Sequence, residues 1–497
     1  MKTLLKPLLL PILATALAGL AAGAEFKAND YGAKPGGTDN NAAAIQKAID
    51  AAAKAGGGEV ILDPGVYMSG ALFVKSNVHL RLDEGVEIRA INDDSLYPDR
   101  PTRVAGIEME WPAALVNVYE ENNVTISGKG VIDGNGKYWW HKFWGADGKS
   151  GMLGDYRARG LRWAVDYDCK RVRALAVYDS EDVEIRDVTI KRSGFWSLTL
   201  TYSERVKVDG VVIRANIGGF GPSSDGVDID SSRDILVENC DIDCNDDNIC
   251  LKAGRDFDGL RVNRPCENIT IRNCVTRSGH GMLTLGSETS GGIRNVTVEN
   301  LKAYGTTNGV RIKSAKVRGG VIENIRIRGL EMLGVDNPLH FELNWYPQYS
   351  YPTLPDEVDR ETMPRHWKVM TTRVEPPERG IPTVRDLEIA DVKATGAQVA
   401  IHANAYPEKP MTGVRLKDVT IEARSAGEVA NAADWSFEGV TLRLLSEGPV
   451  KLENCEGVPQ PETAPLERSE WEEARKHAKE AGEHAIRLGA GVGGDDE

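Results

Sequence analysis

Hydrophobic and polar residues alternate in short runs over most of the chain, and a polar residue opens each run. The openings are Asn77-Val78, Asn123-Val124, Asp182-Val183, Arg205-Val206, Asp234-Ile235, Asn268-Ile269, Asn295-Val296, Asn324-Ile325 and Asp386-Leu387. Alternation puts Val and Ile on one face of a strand and Thr, Lys, Arg or Glu on the other. From Asp182 to Asn324 the intervals are 23, 29, 34, 27 and 29 residues, which are coil lengths with loops of varying size. Stacked coils of this kind make a solenoid. The expected fold class is therefore all-β, one long single-stranded parallel β-helix from about Glu59 to Leu452.

Three units, Asn123-Val124-Thr125, Asn268-Ile269-Thr270 and Asn295-Val296-Thr297, are also glycosylation sequons. Because they coincide with the repeat, a turn followed by a strand accounts for them.

Other patterns flank or interrupt the repeat. Residues 42–55 are rich in Ala, with Ile45 and Ile49 four apart. They predict a short helix, capped by Thr38 or Asn40, ended by Gly56-Gly57-Gly58, and closing the open end of the solenoid. Two insertions are aromatic: Tyr138 to Trp163, with Trp139, Trp140, Phe143 and Trp144, and Phe341 to Pro382, with Trp345, Tyr346, Tyr349, Tyr351 and Trp367. Such loops either stack sugar rings or only cover the flank. Glu467 to Arg487 reads as a peripheral helix before a charged tail. At the other end Lys2 and Lys6, an apolar run from Leu8 to Leu20, and Ala22-Gly23-Ala24 have the parts of a cleavable secretory signal. The expected organisation is a signal peptide over 1–24, a β-helix catalytic domain over 25–460, and a helix and flexible tail over 461–497. The protein is expected to be secreted or periplasmic, and a monomer is the expected state.

Composition agrees, with 52 Gly and only 8 Phe among 497 residues, as suits many strands and tight turns. The formal charge of −14 argues against nucleic acid as a partner, and no membrane partner is expected. Seven cysteines is an odd number, so at least one is unpaired or pairs between chains. Cys240, Cys274 and Cys455 each end a repeat after Asn, and small buried side chains in a stack are the preferred reading.

The chemistry concentrates between Ser223 and Arg311. Val227 and Ile229 recur 22 residues later as Ile249 and Leu251. Continuing through Leu283/Leu285 and Val310/Ile312 brings two flanking columns into line: Asp225, Asp247 and Gly281 in one; Ser224, Asp246 and His280 in the other. Coils stack about 4.8 Å apart, so Asp225 and Asp247 should form a close pair able to hold a water, with Asp246 pointing elsewhere. Hydrolysis of a glycosidic bond needs this division, a protonated carboxyl for the leaving oxygen and ionised ones to activate water. Three crowded carboxylates are expected to raise one another's pKa, keeping one protonated. His280 can hydrogen-bond Asp246. An outward column holds Asp228, Cys250, Thr284 and Arg311, and beside it Asp230, Lys252, Gly286 and Lys313. From these, Arg311, Lys313 and Lys252 are the candidates for binding an acidic substrate.

These residues carry a resemblance. Asp225 in SSDGVD, Asp246-Asp247 in NDDNICLKAG, Gly279-His280-Gly281 before GSE, and Arg311-Ile312-Lys313 resemble the four ordered motifs of the polygalacturonase family, glycoside hydrolase family 28. IDGNG (132–136), YGAK (31–34) and GVIENI (320–325) extend it over nearly the whole mature chain. The resemblance implies a right-handed β-helix and inverting hydrolysis of α-linked galacturonic acid in pectin, without metal or cofactor. It implies Asp246 as general acid, Asp225 and Asp247 holding the attacking water, His280 supporting the acid, and Arg311 and Lys313 on the galacturonate carboxylate. Ser223-Ser224 replaces the family's usual Asn-Thr, and Asn245 its usual Gly; both sit beside the carboxylates and bear on substrate. Homogalacturonan and rhamnogalacturonan both stay open, and the aromatic insertions lean toward exo-action. A calcium-dependent β-helix lyase and a non-catalytic carbohydrate-binding solenoid are the competing readings.

Overall fold

The computed structural model describes residues 23–490, with side chains to residue 481. Among these, 31 strands join one sheet system, and a separate antiparallel hairpin pairs Asp99–Val104 with Ile107–Pro112. Every pairing in the large system is parallel and links coil to coil. Leu198–Thr201, for example, lies between Leu175–Tyr178 and Val227–Asp230. This is the right-handed parallel β-helix expected, the hand that parallel crossovers take.

The polar residue opening each run turns the chain. Asn77, Asn123, Asp182, Arg205, Asp234, Asn268, Asn295, Asn324 and Asp386 all have φ between +53° and +64°. Asn and Asp tolerate this left-handed conformation better than other residues with a Cβ. Stacking then puts successive side chains in reach of one another: Asn268 Nδ2 donates to Asp234 Oδ1 (2.9 Å), Asn295 to Asn268 (3.1 Å) and Asn324 to Asn295 (2.7 Å). The sequon asparagines at 268 and 295 are thus rungs of a ladder.

Inside, Val227, Ile249, Leu283, Val310 and Leu339 are register partners on successive coils, all fully buried. Burying each such side chain stabilises by about 1.5–3 kcal/mol. A slip of one residue would turn the whole column outward, so the alternation fixes the register.

The helix α1 (Ala42–Lys54) buries Ile45, Ala48, Ile49 and Ala52 against the first coils. Asn40, not Thr38, serves its N-terminus, accepting from the Ala42 N–H at 3.0 Å. At the far end Glu462–Pro465 still pairs with the preceding coil. The helix α2 (Arg468–Ala490) then lies along the flank, where Trp471 Nε1 donates to the Ala397 carbonyl (2.7 Å) and Arg475 pairs with Asp336 (2.8 Å). All seven cysteines are unpaired thiols, six of them buried.

The two insertions fold onto each other. Trp139, Trp140, Phe143 and Trp163 are buried. Trp163 meets Trp367 edge to face at 5.2 Å. His366 and Trp367 both reach Asp168, at 2.6 and 2.9 Å. Trp139, Trp140 and Trp163 of the first insertion therefore cover the flank and offer no sugar platform.

Candidate active site

Four strands on consecutive coils carry the site: β1 (Val227–Asp230), β2 (Asp247–Lys252), β3 (Gly281–Leu285) and β4 (Asn308–Lys313). Asp228, Cys250, Thr284 and Arg311 are register partners in turn, as the alignment of columns predicts. The Gly226 N–H donates to the Asp247 carbonyl (2.9 Å), so Asp225 and Asp247 flank the same interstrand step. Their carboxylates, with the Cys250 thiol, approach to within 4.8 Å. Asp246 precedes β2, lines the same cavity as Asp225, and approaches His280 Nδ1 at 3.3 Å. Gly281 stands next in the Asp225–Asp247 column, and a Cβ there would fall 2.8 Å from Asp247 Oδ1. It would fall closer still to Thr284 Oγ1, so the glycine leaves room for the Thr284–Asp247 hydrogen bond.

Asp247 is fully buried and held by three donors. Lys313 Nζ reaches Oδ2 at 2.6 Å, while Thr284 Oγ1 (2.7 Å) and Arg311 (3.1 Å) reach Oδ1. Arg311 and Lys313 are therefore already engaged with this carboxylate while also lining the cavity. Lys252 is more loosely shared, with Asp228 at 3.3 Å, Asp225 at 3.4 Å and Glu288 at 3.6 Å.

The crowded carboxylates do not all move the same way. Burial, then the charges of Asp228 and Asp246, push Asp225 well above the usual range. Burial likewise lifts Asp228, only partly offset by Lys252, to about 7. Burial opposes ionisation of Asp246 too, but the adjacent His280 outweighs it and the pKa falls. At Asp247 burial is overcome by Lys313 and Arg311, so this group stays ionised. The expectation of mutual raising thus holds at Asp225 and fails at Asp246 and Asp247, because Lys252 beside Asp225 is shared with Asp228 and Glu288 and is outweighed there, whereas His280, and Lys313 with Arg311, outweigh burial at the other two. His280 in turn is raised, chiefly by the charge of Asp246.

Asp225, Asp247 and Cys250 are the acidic and thiol groups close enough among the described residues to share a metal ion. That set suits a cation poorly. Both oxygens of Asp247 are taken by Lys313, Arg311 and Thr284, and burial pushes the Cys250 thiol up. A calcium ion would have to compete with two fixed cations, which weighs against the lyase reading.

The cavity over these residues has a volume of about 350 Å³, toward the small end for ligand sites. The second insertion contributes Trp345, Tyr346 and Tyr349; Lys313 Nζ lies 4.6 Å from the Trp345 ring centre. So the aromatic residues of the two insertions divide: those of the first lie away from the cavity, and these three of the second wall it. Sequence reasoning did not single out Trp196, Glu288, Arg162 or Asp166, all of which line the cavity. Glu288 was within view, as the last residue of GSE after Gly279-His280-Gly281. Trp196 precedes a strand outside the aligned coils, and Arg162 and Asp166 lie in the non-repeating insertion, so no periodicity marks them.

Exposure is graded across the cavity. The side chains of His280 and Asp246 are 54% and 26% exposed, against 4% for Asp225 and 5% for Lys252 and Glu288. The mouth is on the Asp246 side.

The family model for glycosyl hydrolases family 28 matches residues 101–358. A probable polygalacturonase of Vitis vinifera is 25% identical over 444 residues, covering 86% of this chain and 82% of that protein. An exo-poly-alpha-D-galacturonosidase of Dickeya chrysanthemi is 31% identical over 333 residues, which is 61% of this chain and 54% of its relative; the match spans about half of that protein. Among solved structures, an exopolygalacturonase from Thermotoga maritima superposes with a TM-score of 0.68 at 26% identity, over 89% of this chain and 95% of that one.

Proposed function

Since the chain belongs to glycosyl hydrolase family 28, we propose that it hydrolyses α-linked galacturonic acid in pectin, taking single residues from the non-reducing end with inversion of configuration. It is an O-glycosyl hydrolase acting on pectic polysaccharide. Homogalacturonan is the substrate favoured over rhamnogalacturonan, in line with the exo-galacturonosidase and exopolygalacturonase it is similar to. The observation that carries the reading is the pair Asp225 and Asp247 on adjacent coils beneath a cavity that Asp246 and His280 open to solvent.

In this mechanism a water lies between Asp225 and Asp247. Asp247, fixed by Lys313, Arg311 and Thr284, orients it. Asp225 has the higher proton affinity of the two, so it accepts the proton as the water attacks the anomeric carbon. Asp246 donates to the departing oxygen from the opposite side. The proton it gives is held by the Asp246–His280 pair, whose raised imidazole retains it into the neutral range. Lys252, with Arg311 and Lys313, offers the positive charge that an acidic sugar requires inside a protein of net charge −14.

The gradient of exposure supports exo-action. The leaving saccharide must sit on the acid's side, which is the mouth. The sugar under attack must sit on the water's side, which is closed. The enclosed sugar is then a chain end, and its C1 is the bond cut.

We further propose a secreted or periplasmic location, a β-helix catalytic domain over 25–460, and a monomer. Most of the leader-like segment 1–24 lies outside the described residues, and among those described no helix is long and apolar enough to cross a membrane.

The test is incubation with homogalacturonan and with rhamnogalacturonan oligosaccharides, with products resolved over time. Galacturonic acid monomer should lead from the first minutes with homogalacturonan. Ultraviolet-absorbing unsaturated products abolished by chelator would instead establish a lyase.

A further inference from the structure

We infer that Arg162, a residue outside the coil repeat, binds the non-reducing terminal sugar by donating to its C4 hydroxyl oxygen and so reads the chain end. The inference rests on the proposed chain-end hydrolysis and assigns the residue that ends the site.

Arg162 lies in the first insertion, just before the short helix Val165–Asp168, and lines the same cavity as Asp225 and Asp246. Its guanidinium is held rigidly. Nη1 donates to Asp166 Oδ2 at 2.6 Å, and Nε to the Tyr346 hydroxyl at 3.3 Å. Its carbon lies 5.4 and 5.3 Å from the ring centres of Tyr346 and Tyr349. Residues from both insertions therefore fix one side chain between them. A guanidinium has five N–H donors in a planar fork, and these contacts engage Nε and Nη1. Nη2 donates to no protein atom among the described residues, and the side chain keeps 19% exposure. Asp166, which anchors it, is itself locked by Arg171 (3.2 Å). What faces the cavity is a preorganised donor on a rigid support, which loses little entropy on binding.

Ring geometry says which sugar atom it meets. In the enclosed residue C1 points to the catalytic carboxylates, and C4 lies across the pyranose ring from C1. C4 therefore points away from Asp225 and Asp246, and on this inference sits against the part of the cavity lining that Arg162, Asp166 and Tyr349 supply. In an interior residue of a 1,4-linked chain O4 carries the next sugar, which this wall would meet. At the non-reducing end O4 is a free hydroxyl and can accept from Nη2.

Two oligogalacturonates of equal length test this. One ends in a saturated residue; the other ends in a 4,5-unsaturated uronate, as β-elimination leaves, which keeps the carboxylate and lacks O4. Wild type should cleave the saturated compound with a kcat/KM about thirtyfold higher, the order expected for one hydrogen bond from a charged donor. In Arg162→Met the saturated compound should fall by a similar factor while the unsaturated one changes little, so the ratio collapses. Arg162→Lys should restore part of it. Equal efficiency on both ends in wild type would overturn the inference without any variant. So would an equal fall on both in Arg162→Met, which would make Arg162 only a brace between the insertions. Failure of the parent proposal looks different: neither galacturonide is cleaved if the protein is no galacturonide hydrolase, and oligomers rather than galacturonic acid monomer lead the products if it is endo-acting.

Discussion

At the scale of single residues, the site works by giving chemically identical carboxyls different neighbours. Asp247 has two cations and a hydroxyl, Asp246 has an imidazole, and Asp225 has only an ammonium that it shares with Asp228 and Glu288. Replacing the proposed acid, Asp246→Asn, should lower kcat by about a hundredfold or more while KM for an oligogalacturonate stays within a small factor. Wild-type turnover in that variant would remove Asp246 from its role. The pH profile tests its partner. The Asp246–His280 pair holds its proton below the raised pKa of His280, so kcat/KM should fall as pH rises through that value, above 6.5. In His280→Asn a carboxyl becomes the last holder of the proton. The alkaline limb should then move to lower pH, and a limb that stays in place would show that His280 does not help hold the transferred proton.

At the scale of the element, a strand here is a copy of its predecessor, and stability is distributed through ladders. Asn295 shows what one rung contributes, since it has φ of +56°, donates to Asn268 and accepts from Asn324. Asn295→Ala should cost about 2–3 kcal/mol, adding the left-handed penalty of a non-glycine residue to the two lost hydrogen bonds. Asn295→Gly keeps the backbone conformation at ease and should cost less. Midpoints of chemical denaturation for the two variants give the comparison, and equal midpoints would deny the backbone contribution. The same repetition made the fold readable. Coil partners 22 residues apart, Val227 with Ile249, are partners in space because alternation leaves one register that buries them. Asp225 and Asp247 come with that register, so their pairing was legible too. The pKa pattern was not, since it depends on where Lys313, Arg311 and His280 aim their charges. Nor were Arg162 and Asp166, because an insertion has no neighbouring copy to be aligned with. The aromatic residues of the two insertions looked alike in sequence. Their separate fates, Trp139 into the core and Trp345 over Lys313, depend on which flank each loop crosses.

At the scale of the whole molecule, the protein must admit a polyanion although it is itself an anion of net charge −14. The cavity wall carries both signs: Asp225, Asp246, Asp166 and Glu288 stand among Lys252, Lys313, Arg311, Arg162 and the raised His280, with Asp247 buried beneath them. Attraction inside the cavity is therefore short in range, and the field met by an approaching polymer is that of the surrounding acidic surface. Salt acts differently on the two. Raising ionic strength to about 0.15 M shortens the screening length to about 8 Å, which removes most of the distant repulsion but leaves contacts within the closed cavity nearly intact. Long galacturonate chains, whose many charges lie outside the cavity, should gain in kcat/KM as salt is raised from low values. A disaccharide, nearly enclosed when bound, should change much less. Steering by a local cationic patch would give the opposite sign for the polymer, a steep loss with salt, so initial rates on the two substrates across a salt series distinguish an enzyme that draws pectin in from one that merely accepts its ends.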